Sequence, residues 1–210
     1  MTLTWPNLLS ALRIGLIPLF IISVIDGQAI RALVIFALAG ITDLLDGFIA
    51  RFLHQQSPLG AYLDPMADKL LLVSAYVMLA IPGLFPGLNI PIWVTVLVIT
   101  RDVIIVGVAL IVHLTYGISK FPPSWISKWN TAFQIIAVFA VLLTGVVSRL
   151  EMLAFMILMT VVVLTIASGL EYGYRFIYRV DLLAAQAETA TPEVEADAAG
   201  DESGGRRTGS

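Results

Sequence analysis

Cysteine is absent from the 210 residues, histidine occurs only twice, and charged residues make up just 13% of the chain. Without cysteine there is no disulfide and no thiolate metal ligand, and the redox compartment cannot be read from thiols. His54 and His113 alone argue against a zinc or copper centre. The shortage of charge is the most restrictive absence, since an average soluble domain carries roughly 25% charged residues. What fills the space is apolar: 59% of residues are hydrophobic and the mean hydropathy is +0.93. A soluble core could not hide that much apolar surface, so the composition predicts an all-α integral membrane protein.

Six apolar segments can be drawn, at about Leu8–Val24, Arg31–Leu53, Ala61–Ile81, Ile92–Tyr116, Trp129–Val147 and Met152–Tyr174, each close to the roughly 20 residues a helix needs to span the hydrocarbon layer. Asp26-Gly27, Ser57-Pro58 with Gly60, the stretch from Pro82 to Pro91, and Pro122-Pro123 mark breaks between them. An even number of spans puts both termini on one side. Arg51, Lys120, Lys128, Arg175 and Arg179 lie on that side against Arg31 and Arg149 on the other, which makes it cytoplasmic. The first seven residues lack the features of a signal or transit peptide, and the expectation is the mature start of a bacterial inner-membrane protein. Residues 1–178 then form one membrane domain. Residues 179–210 are small, polar and acidic, an expected disordered tail.

Two features break the apolar pattern near the cytoplasmic side. Trp5, Pro6 and Asn7 precede a run containing Arg13, and the segment reads as an interfacial anchor, or as a border of the site through Asn7 and Arg13. The stronger feature is acidic. Asp43 and Asp46 are three residues apart, Asp64 and Asp68 four apart, so each pair shares a helix face, and the short connection predicts antiparallel neighbouring helices. Four carboxylates at the hydrocarbon boundary repel one another and require cations among them. Arg51 and Lys69 supply too little charge, whereas one or two hard divalent ions, Mg²⁺ or Mn²⁺, take oxygen ligands of this kind and leave positions for substrate phosphates. Gly47 and Ala50 leave a smooth strip for a ligand, Arg51 can grip a phosphate with both guanidinium nitrogens, and Gly60 gives similar room on the next helix.

The run from Asp43 to Asp68, Asp-x-x-Asp-Gly-x-x-Ala-Arg, eight residues, then Gly-x-x-x-Asp-x-x-x-Asp, resembles the complete signature of the CDP-alcohol phosphotransferases. The resemblance implies a six-helix membrane fold, often a homodimer, with a two-metal site open to cytoplasm and lipid. It implies that Asp43, Asp46, Asp64 and Asp68 bind the metals, that Asp46, Gly47, Ala50, Arg51 and Gly60 contact the CDP moiety, and that Asp68 is the base. The substrate so implied is CDP-diacylglycerol, from which a phosphatidyl group passes to an alcohol with release of CMP.

For the acceptor, Ile99 to Val103 and Pro123 to Gln134 are similar to two landmarks of the cardiolipin synthase branch, whose acceptor is phosphatidylglycerol. The phosphatidylglycerophosphate synthases, which use glycerol 3-phosphate, usually carry Arg-Glu where Arg101-Asp102 stands. Glycerol 3-phosphate is a dianion that wants several basic groups, and Arg13, Arg101 and Lys128 are the few on offer. Arg101 and Lys128 are the expected acceptor-binding residues, with helix packing and a positive-inside flank as their alternatives. Adjacent helix residues do not face one another, so Arg101 and Asp102 are not expected to pair. A divalent cation transporter is the non-enzymatic alternative, disfavoured because the carboxylates gather at one end.

Overall fold

A computed structural model describes residues 5–53, 60–116 and 125–174 of the chain. Among these residues the protein is entirely helical: α1 Trp5–Ile25, α2 Ala29–Leu53, α3 Gly60–Ala80, α4 Ile92–Tyr116 and α5 Trp125–Thr144, a single 3₁₀ turn Ser148–Leu150, and α6 over residues 151–174. The chain divides into two compact units, Met1–Ser168 and Gly169–Ser210. Only residues 169–174 of the second are described, as helix. The expected acidic tail and His54 lie outside the described residues.

The interior is a mainly apolar core that also takes in polar and charged groups, and the exterior is rich in large aliphatic side chains. Arg13, Ser23, Arg101, Asp102, Asn130, Gln134, Thr165 and Ser168 are buried, while Val103 and Val163 are 64% and 65% exposed. Aliphatic groups on the outside, with the ionisable groups turned inward, are what hydrocarbon as solvent selects. Among the described residues, Trp125–Thr144 and Ser148–Tyr174 are long and apolar enough to cross a membrane by length and composition. This is an apolar, membrane-protein exterior.

The turns are built as the sequence signals them. Gly27 at φ 66° closes α1, with its N–H donated to Val24 O and the N–H of Gln28 donated to Ser23 O, the two bonds of a Schellman cap. Beyond α3, the Pro82–Pro91 connection folds back: Ile90 N–H donates to Leu79 O at 3.0 Å, Asn89 Nδ2 to Ile81 O at 3.1 Å, and Leu88 N–H to Thr144 Oγ1 at 2.8 Å. Helix-end carbonyls that would otherwise face lipid are thereby satisfied. α5 starts at Trp125, ahead of the expected Trp129, and ends at Thr144 instead of Val147.

That end is tightly packed. A Cβ on Gly145 would stand 2.5 Å from Phe85 Cζ and 2.8 Å from the Ala29 Cβ. Gly145→Ala is therefore expected to cost about 1–3 kcal/mol of stability through overpacking, read as a lower midpoint of thermal unfolding in detergent with activity per folded molecule unchanged.

α1 packs along both α2 and α3, α5 touches α2 and α3, and α4 rests on α3. The short connection expected to make the two aspartate-bearing helices antiparallel neighbours, residues 54–59, lies outside the described residues. Among the described residues α2 and α3 make little direct contact, and each leans on α1 instead. The space left between them is the cavity described next.

Candidate active site

A cavity of about 330 Å³ opens between α1, α2, α3 and α5. Its wall is largely apolar, with Phe36, Ala39, Leu71, Leu72 and Ile135, and its charged groups are Arg13, Asp43, Asp68 and Lys69. A water-poor pocket with a few convergent charges is the usual form of a binding site for an amphiphilic ligand.

Asp43 comes from α2 and Asp68 from α3, and both meet one guanidinium. Arg13 Nη1 donates to Asp68 Oδ1 at 2.5 Å, and Nη2 lies 3.2 Å from Asp43 Oδ1, an ion-pair contact without hydrogen-bond alignment. Arg13 is wholly buried, while the side chains of Asp43 and Asp68 are 42% and 45% exposed. The arginine thus lies beneath the carboxylates, which keep an accessible side towards the cavity. Of the two readings of the Thr2–Arg13 segment, the structure favours the border of the site for Arg13, since a 0% exposed arginine cannot be an interfacial anchor. The signal was available: an arginine within an apolar run must find an anionic partner. Which partner depends on α1 packing between α2 and α3, and one sequence does not reveal that.

The donor set suits a hard divalent cation. Oxygens from two helices converge within the width of one guanidinium, no thiolate is present, and their outer faces are accessible. Among the described residues, no group of three or more Asp, Glu, His or Cys side chains gathers to hold a metal. Asp46, Gly47, Ala50 and Arg51 lie on α2, and Gly60 and Asp64 on α3. Their side-chain placement, like that of His113, lies outside the described residues, as does Asn7's.

A second polar cluster joins four helices beside the first. Lys69 of α3 forms an ion pair with Asp102 Oδ2, and Asp102 Oδ1 accepts from Arg101 Nη1 at 2.9 Å. Arg101 Nη2 also donates to Ser127 Oγ of α5 at 2.8 Å and to Ser168 Oγ of α6. The expectation that Arg101 and Asp102 do not pair is corrected: the long arginine side chain curls back to its neighbour, because both are buried, at 7% and 8% exposure, and neither can stand unpaired there. Arg101 does not line the cavity. Lys128 does not either; its ammonium stands 5.7 Å from the centre of the Trp125 ring. On α5, Thr131 lines the cavity, while Asn130 Oδ1 accepts from Thr165 Oγ1 at 3.0 Å.

Residues 3–167 match the CDP-alcohol phosphatidyltransferase family, and the chain belongs to that family. It is 38% identical over 187 residues to the CMP-forming cardiolipin synthase of Homo sapiens and 37% identical to that of Rattus norvegicus, each alignment covering 81% of this chain. It spans 60% of the length of those two proteins. Similarity extends to the CDP-diacylglycerol–glycerol-3-phosphate 3-phosphatidyltransferase of Haemophilus influenzae, at 34% identity over 170 residues, covering 80% of this chain and 90% of that protein. Membership in a family of transferases leaves the transporter alternative without support.

Proposed function

We propose that this protein transfers a phosphatidyl group from CDP-diacylglycerol to phosphatidylglycerol, giving cardiolipin and CMP, with divalent metal held by Asp43, Asp46, Asp64 and Asp68. The observation that carries the reading is the convergence of Asp43 and Asp68 on one buried guanidinium at the charged end of an apolar cavity. When bound, Mg²⁺ or Mn²⁺ supplies neutralisation of the diphosphate and of the departing CMP. The remaining work falls to the chain. Asp68 accepts the proton of the acceptor hydroxyl as its oxygen bonds to the lipid-bearing phosphorus and the bond to CMP breaks. The wall of Phe36, Ala39, Leu71, Leu72 and Ile135 excludes water that would compete as acceptor. Gly47, Ala50, Arg51 and Gly60 are assigned to the CDP moiety.

The same reading places six spans in a bacterial inner membrane, both termini and the site on the cytoplasmic side, and two copies in a homodimer. The greater identity to the human and rat cardiolipin synthases supports phosphatidylglycerol as acceptor. A second reading, glycerol 3-phosphate as acceptor, is favoured by the nearly full-length similarity to the Haemophilus influenzae protein.

The test is to incubate purified protein with CDP-diacylglycerol, Mg²⁺ or Mn²⁺, and either acceptor, and to identify the lipids by mass spectrometry. Cardiolipin with equimolar CMP, lost on chelation of the metal, is the expected result. Phosphatidylglycerophosphate with CMP establishes the second reading instead. Absence of metal-dependent CMP release with either acceptor rules out both.

A further inference from the structure

Among the described residues, Lys69 is the charged group shared by the two polar clusters. It follows Asp68 on α3 and lines the cavity, yet its ammonium is paired with the buried Asp102, which is itself held by Arg101. Arg101 in turn is fixed by Ser127 and Ser168 on two further helices. A lysine with four rotatable bonds is thus held in one place, with its side chain still 42% exposed. Such immobilisation is what a specific contact needs, because the entropy of ordering the side chain is lost before the ligand arrives.

Charge gives the arrangement a preference. Lys69, Arg101 and Asp102 together carry one net positive charge, and only the Lys69 end reaches the cavity. A fixed cation at an apolar cavity complements the negative charge of an acceptor's phosphate.

We propose that Lys69 binds the phosphate of the acceptor alcohol and that Asp102 holds the ammonium in place for that contact. This rests on the phosphatidyl-transfer reading of the site. Arg101 is then a positioning residue that acts through Asp102, in place of the direct acceptor contact expected from sequence.

The experiment measures kcat and KM for phosphatidylglycerol, glycerol 3-phosphate and CDP-diacylglycerol in wild type, Lys69→Met, Lys69→Arg and Asp102→Asn, with thermal unfolding of each. Lys69→Met is expected to raise the KM for phosphatidylglycerol about tenfold or more while leaving that for CDP-diacylglycerol within about twofold, and Lys69→Arg to recover most of the loss. Asp102→Asn loosens the hold on the ammonium and is expected to raise the KM for the acceptor several-fold, with that for CDP-diacylglycerol within about twofold. Stable Lys69→Met protein with an unchanged KM for both acceptors overturns the proposal, as does an equal loss for acceptor and donor. If Asp102→Asn fails to fold, the Lys69 pair still decides, since that side chain is partly exposed. Wild-type protein that releases no CMP with any acceptor would instead refute the underlying transferase reading, so the two failures are distinct.

Discussion

Asp68→Asn is expected to lower metal-dependent CMP release by about 10²–10⁴-fold, the usual contribution of a positioned general base, while the protein stays folded. The amide has the same shape and its carbonyl oxygen can still accept from Arg13 Nη1. Arg13 also keeps Asp43 as its anionic partner, 3.2 Å away, so the buried cation is not abandoned. What the amide cannot do is take a proton from the attacking hydroxyl. Steady-state release of CMP, retained binding of CDP-diacylglycerol and an unfolding midpoint within a few degrees of wild type are the three readings. Asp43→Asn separates a base from a ligand: its loss should be recovered in part by raising the metal concentration, whereas that of Asp68→Asn should not. Turnover close to wild type in Asp68→Asn would remove Asp68 as the base.

The second large effect concerns stability. Removing both anions, in Asp43→Asn with Asp68→Asn, leaves the guanidinium of Arg13 wholly buried without a described anionic partner. An uncompensated buried charge costs about 3–5 kcal/mol. Either single substitution should cost much less, so the pair should be far from additive. Adding Arg13→Met to the double variant should restore much of the lost stability, because an apolar side chain of similar length suits the site once the carboxylates are gone. Unfolding midpoints of wild type, the two single variants, the double and the triple in detergent, without added metal, provide the measurement. If the triple variant is no more stable than the double, Arg13 is not the source of the strain.

Much of the helical framework was legible because hydrocarbon imposes a simple rule on length and polarity. The fourth segment, Ile92 to Tyr116, coincides with α4, and the Asp26-Gly27 break is the cap of α1. The convergence of Asp43 and Asp68 followed from their places on helices joined by a short connection. The packing of α1 along both helices did not, because spacing reports which face a residue occupies and not what packs against it. Arg13 lies 30 residues from Asp43 and 55 from Asp68, and Lys69 lies 33 from Asp102. Such distant pairings depend on helix docking, which local pattern leaves undetermined. The Arg101–Asp102 pair was missed for the opposite reason, a rule for neighbouring helix positions that a long, buried side chain overrides.

Arg13 also bears on assembly. α1 is synthesised before α2 and α3, so Arg13 exists before either of its anionic partners. A lone arginine at helix depth in a bilayer costs about 2.5–3.5 kcal/mol on insertion scales, and the docking of α2 and α3 along α1 supplies the anions that offset such a cost. One buried guanidinium thus fastens three helices to one another, and the carboxylates assigned to the chemistry also hold together the elements that carry them.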